Sequence, residues 1–203
     1  MADDLAMRVR RIYAAVEAAE EHDMQKFPAL VAATPKGVVF LQDFRGDMRQ
    51  EEVENIASTL VHNVASFQDH VTKWAENRGK PRSEIDAAFK GSTALRVIKD
   101  LWNNDKHGYS ASRHHHSGVA VQHVNVKPVM RLTANAGGRA VRMTFGRDGR
   151  PVVTGDGSAT VVVDAEIVDE HDNPIPGVGG LYDTATKAVM AWEALLRTFG
   201  VDI

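Results

Sequence analysis

The chain contains no cysteine, which excludes disulfides, thiol catalysis and thiolate metal sites together. It has no run approaching the ~18 apolar residues of a membrane-spanning helix. Met1-Ala2-Asp3-Asp4 is acidic where a signal peptide needs a basic and then an apolar stretch. A cytoplasmic protein with no membrane partner is therefore expected. Positive charge is not in excess either: a net charge of −3 gives no global attraction to nucleic acid, so any such contact has to use a local patch, and nothing signals DNA in particular. The glycines of Gly177-Val178-Gly179-Gly180 lack the G-x-G-x-x-G spacing and follow no strand-turn-helix nucleotide unit. They read as a connector, and no cofactor is expected.

What remains is the composition of a globular protein, 43% hydrophobic and 25% charged. Residues 3–25 carry Leu5, Val9, Ile12, Tyr13, Val16 and Ala19 at helical spacing, with Arg8, Arg10 and Arg11 on what reads as a solvated face. Pro35-Lys36-Gly37 marks a turn, and Val38–Phe44 a short strand. From Arg49 or Gln50 a long helix is expected, buried through Val53, Ile56, Ala57, Leu60, Val64, Phe67, Val71 and Trp74 and broken at Gly79-Lys80-Pro81. A shorter helix, Ser92–His107, follows, with Ser92 or Thr93 as N-cap and Gly108 suited to a left-handed C-cap.

After Gly108 the texture turns to sheet. Val119 and Val121, then Val124 and Val126, alternate with a one-residue shift, as at a bulge. Val141, Met143 and Phe145 alternate too, and Asp148-Gly149 and Asp156-Gly157 mark turns before the run Ala159–Ile167. An antiparallel β-meander of four or five strands is expected, closed by an amphipathic helix over Tyr182–Phe199. The fold class is α+β in one domain, 1–203, with a helical part, 1–108, and a β-rich part with its closing helix, 118–203.

The polar residues of the two central helices stand out. His62 and Asp69 fall within about 20° of each other, two turns apart, and Arg96, Asp100, Asn103 and His107 share one face of the next helix. A plain surface accounts for part of this, since Arg96 and Asp100 are spaced for an i,i+4 ion pair. Asn, Asp and His are nevertheless poor helix formers, so their concentration asks for a reason. The histidines of Arg113-His114-His115-His116 suit a transition metal, but no carboxylate lies in that loop. No metal is assigned, and an exposed polar loop is expected.

The text Leu60-Val61-His62-Asn63, Phe67-Gln68-Asp69-His70 and Leu101-Trp102-Asn103-Asn104-Asp105-Lys106-His107 resembles a group of uncharacterised bacterial helical-bundle proteins. In that group a helix reading H-N…L-D-H precedes an N-x-D-K-H element. The matched positions are His62, Asn63, Asp69, His70, Asn103, Asp105, Lys106 and His107, and the likeness covers roughly a third of the chain. The chain is more distantly similar to the HEPN helical-bundle ribonucleases, marked by R-N-x-x-x-H. Asn103 and His107 have that spacing, but Trp102 stands where the arginine belongs. Arg96 lies about 16 Å from His107 along the axis.

Three functions fit these residues. One is a noncatalytic interaction protein, in one form a homodimer, in which Asn63, Asp69, Asn103, Asp105 and His107 build a buried polar network between helices. The second is the one the resemblance implies: an RNA- or nucleotide-binding protein, or a metal-independent ribonuclease, using His62, Asp69, His70, Asn103 and His107. The third is a metal-dependent hydrolase built on His70 or His107, the 114–116 histidines and Asp69 or Asp105, although no motif such as H-E-x-x-H is present.

Overall fold

The apolar stripe that ends at Trp74 becomes the buried face of the longest helix. In the computed structural model, which describes residues 2–20, 22–23, 29–34, 37–42, 50–107, 116–134, 141–146 and 151–203, the helices are α1 (Ala2–Glu20), α2 (Gln50–Glu76), α3 (Arg82–Gly91), α4 (Thr93–His107) and α5 (Leu181–Thr198). The strands are β1 (His22–Asp23), β2 (Ala29–Thr34), β3 (Gly37–Gln42), β4 (His123–Ala134), β5 (Arg142–Phe145), β6 (Pro151–Thr154) and β7 (Gly157–Val168). The fold is α+β, as the patterning requires. No helix among the described residues is long and apolar enough to cross a membrane.

The chain divides into two compact units that interleave in sequence. The first comprises Met1–Ala18, Glu54–Val126 and Ala165–Ile203. Its core is drawn from Leu5, Val9 and Ile12 of α1, Leu60, Val64 and Phe67 of α2, Val97, Ile98 and Leu101 of α4, and Val189, Trp192 and Leu196 of α5. Full burial of such side chains stabilises by about 1.5–3 kcal/mol each. α4 packs on α5, and α3 on both. α3 had no counterpart in the sequence pattern because Ile85 is its only buried residue, too little apolar spacing for a stripe.

Helix ends follow local chemistry. Ser92 Oγ accepts the Leu95 N–H at 3.3 Å, the N-cap bond to the third helical residue. α2 closes on Gly79, whose φ of 63° is left-handed. There Lys80 N–H donates to Ala75 O and Gly79 N–H to Glu76 O, the pair of bonds of a Schellman ending. Gly200 repeats this after α5, with Val201 bonded to Leu196 and Gly200 to Arg197. The two endings lie near each other, since Trp74 stacks on Phe199 with centroids 6.3 Å apart. The expected cap at Gly108 lies outside the described residues.

The second unit comprises Ala19–Val53 and Lys127–Asp164. β2 and β3 pair antiparallel from Ala29↔Gln42 to Thr34↔Gly37. β5 and β6 form another antiparallel pair, Arg142↔Thr154 to Phe145↔Pro151. The expected meander is therefore not one up-and-down run. β7 sits between β1 and β4, and β5 pairs with β6 apart from them. β4 and β7 have 12 residues each, and β5 and β6 have 4 each. The turn at Asp148-Gly149 lies outside the described residues.

Candidate functional site

The polar residues of α4 separate into inward and outward sets. With Arg96 at 0° on the helical wheel, Asn103 and His107 fall within about 20° of it, Asp100 at about 40° and Asn104 at about 80°, next to Val97 at about 100°. Asp100 is thus at the edge of the polar stripe and is drawn in: it is 2% exposed. Its carboxylate accepts the backbone N–H groups of His116 at 2.8 Å and Ser117 at 2.9 Å, and the Ser117 hydroxyl. Asn104, 3% exposed, donates through Nδ2 to Val121 O at 2.8 Å and Gln122 O at 3.0 Å. These two side chains hold the segment 116–122 against α4. Arg96 does not pair with Asp100; it donates to Ser92 O, Thr93 Oγ1 and His116 O.

Asn103 is half-buried and His107 exposed at the end of α4. Among the described residues neither joins the bonds of Asp100 and Asn104, which hold the inner arc of the helix. The buried bonds of α4 thus reach the segment 116–122, while Trp102–His62 and Ser58–Asp105 join α4 to α2. Asn104 was legible in principle: it continues the buried steps Val97 and Leu101 at intervals of four and three.

Trp102 gathers the outward residues. Its Nε1 donates to His62 Nδ1 at 3.3 Å, and the ammonium groups of Lys99 and Lys106 lie 4.1 and 4.9 Å from its ring centroid. Lys99 is held below the ordinary lysine range, first by burial and then by Lys106, while Asp69 opposes the shift. His62 and Asp69 therefore do share a face, and it is the face turned to Trp102 and Lys99. Lower on the same pair of helices, Ser58 Oγ donates to Asp105 at 3.4 Å.

His70 and Asn63 lie on another side of α2. They line a cleft of about 110 Å³ with Ser66, Phe67 and, from α1, Arg8, Arg11 and Ile12. The spacing explains it: residues 8, 11 and 12 follow three- and four-residue steps on α1, and 63, 66, 67 and 70 do so on α2. Ile12 and Phe67 are buried and form the floor. Arg8 Nε is 3.2 Å from Asp4 Oδ2, an exposed i,i+4 pair. Among the described residues Arg11, the Asn63 amide and the His70 ring have no hydrogen-bond or ion-pair partner. Arg10 and Arg11 are exposed, as the solvated-face reading expects, and the pattern did not show that Arg8 and Arg11 border a cleft.

A larger cavity of about 290 Å³ lies between α2, α4 and the start of β4, with Glu54, Ser58, Asp105 and His123 above an apolar floor that includes Val61 and Leu101. Its two carboxylates suit a hydrogen-bond donor or a cation. His123 Nε2 is 3.0 Å from Asp172 Oδ1. Among the described residues no three of His, Asp and Glu gather as ligands of one metal ion. His116 lies edge-on to Phe89, with centroids 5.8 Å apart, while His114 and His115 lie outside the described residues. The donors named for a hydrolase are thus dispersed: His70 in the α1–α2 cleft, Asp69 beside Lys99, Asp105 at Ser58.

Comparison with family models, curated proteins and solved structures finds no match to this chain. The fold and site define an α+β protein whose helical unit carries a basic cleft between α1 and α2, and an aromatic–lysine patch and an acidic cavity along α2 and α4.

Proposed function

We propose that the protein is a noncatalytic binding protein, in which the polar residues of α2 and α4 act as scaffold and ligand-holding groups and not as acid–base catalysts. The observation that carries this reading is dispersal. Proton transfer needs its acid or base within about 2.6–3.2 Å of the reacting group. Here His62 is engaged with Trp102, His70 belongs to the α1 cleft, and His107 stands exposed at a helix end. A second copy of the chain is one partner consistent with such a role. The test is incubation of the full chain with structured and unstructured RNA, with and without chelator, beside His70→Ala and His107→Ala. No cleavage is expected in any tube. Cleavage that either variant abolishes would establish a ribonuclease and refute the proposal.

The Trp102 patch favours a second reading, contact with single-stranded RNA, since an indole with two lysine ammonium groups near its ring combines an aromatic side chain with phosphate-neutralising charge. Trp74 and Trp192 are buried, so quenching of tryptophan fluorescence by oligouridylate should come from Trp102. Quenching that persists in Trp102→Phe would dismiss this reading.

A further inference from the structure

We infer that the cleft between α1 and α2 binds a terminal phosphate group. The inference deepens the proposed binding role and rests on it in treating His70 as a ligand-holding group. Cationic and neutral donors come from both helices: Arg8 and Arg11 from one, Asn63 and His70 from the other. Among the described residues no carboxylate lines the cleft. The nearest acid known to engage the lining is Asp4, which touches Arg8 through Nε alone among the described residues.

Three features select a phosphate. First, guanidinium groups present paired N–H donors that match phosphate oxygens and hold their charge at all ordinary pH values. Second, the Arg11 guanidinium, the Asn63 side-chain amide and the His70 ring have no partners among the described residues, so their donors are available without breaking a bond. Third, the volume of about 110 Å³ is well below the ~300 Å³ lower limit of pockets that enclose a whole drug-sized ligand. It accommodates an anionic head while the rest of the molecule stays in solvent. The apolar floor of Ile12 and Phe67 lowers the local dielectric beneath the anion and strengthens each contact. With a net charge of −3, the whole protein does not concentrate anions, so recognition has to be local. The larger cavity, with Glu54 and Asp105 in its wall, repels the same ligand.

The experiment is an NMR titration of the full chain with inorganic phosphate, with adenosine 5′-monophosphate and with acetate, following the His70 ring and the Arg11 Nε–H. Saturable shifts with phosphate or the nucleotide are expected. The tighter of the two identifies whether the phosphate is free or carried on a nucleoside. Arg11→Gln should weaken binding about tenfold, the loss expected on removing one charge-assisted hydrogen bond. Arg10→Gln, an exposed arginine outside the cleft, should leave it unchanged. No saturable shift at His70, acetate binding as tightly as phosphate, or equal weakening by Arg10→Gln would each overturn the site. RNA cleaved by the wild type and spared by His70→Gln would overturn only the noncatalytic role, because the phosphate titration reads binding independently.

Discussion

Asp100→Ala is expected to be among the most damaging polar substitutions in the helical unit. The carboxylate accepts three hydrogen bonds, from the N–H of His116, the N–H of Ser117 and the Ser117 hydroxyl. Bonds to a charged group contribute about 1.5–3 kcal/mol each. His116 is exposed, so its N–H recovers water after truncation; Ser117 is 9% exposed and its two donors do not. Two lost bonds give about 3–6 kcal/mol, and removing a desolvated carboxylate returns part of that. The net expectation is a loss of about 2–4 kcal/mol. Urea denaturation followed by circular dichroism should show a lower midpoint at an unchanged m-value. In a double-mutant cycle with Ser117→Ala, the coupling should be about 1–3 kcal/mol. A loss under about 0.5 kcal/mol, the level of an ordinary surface change, would refute the assignment of Asp100 as the anchor of residues 116–117. His107→Ala, exposed and outside this network, serves as the reference at that surface level.

Asn104→Ala leaves the Val121 and Gln122 carbonyls without their donor and should cost about 1–3 kcal/mol in the same assay. Lys99 offers a pH test. Because its folded pKa is lowered, the unfolded chain binds more protons between that value and the ordinary value near ~10.4, so stability rises with pH across this window. Lys99→Met should flatten the rise, and Asp69→Asn, which removes the opposing charge, should lower the Lys99 pKa further in an Nζ-detected NMR titration; an upward shift would contradict the placement of Asp69. Asp169 runs the other way. The N–H groups of Asn173 and His171 hold its carboxylate below the usual range. Its contribution is therefore present above the ordinary value near ~3.9 and is lost as pH falls through the lower folded value. Asp169→Asn should remove that acid limb from the stability profile of the 169–173 turn, and an unaltered limb would assign it to other carboxylates.

The sequence is most legible where one periodicity governs a whole element. The stripe of α2, the Ser92 cap and the apolar face of α5 follow from spacing alone, because nothing but burial competes for those residues. Asp100 is less legible: at the margin of two faces, its placement depends on three donors from a segment 16 and 17 residues further on. The basic cleft is harder still. Arg8 and Arg11 are ordinary surface arginines on α1 taken alone, and acquire meaning only because the Ile12 face is packed beside Phe67 of α2. Strand order shows the same limit, since alternation identifies β4 to β7 as strands but does not state that β7 lies between β1 and β4.

The paired polar residues of α2 acquire separate roles from this geometry. His62 with Asp69, and Asn63 with His70, are two i,i+7 pairs offset by one residue, hence by about 100° around the helix. The first pair meets Trp102 and Lys99 of α4, and the second meets the arginines of α1. A single catalytic cluster would make all four residues interdependent; two neighbours make the pairs independent. His62→Ala should therefore change Trp102 fluorescence and leave phosphate affinity at the α1–α2 cleft intact, whereas Asn63→Ala should weaken phosphate and leave Trp102 unaltered. If each substitution moved both signals to a similar extent, the two faces would be one site, and the dispersal on which the noncatalytic role rests would fail with them.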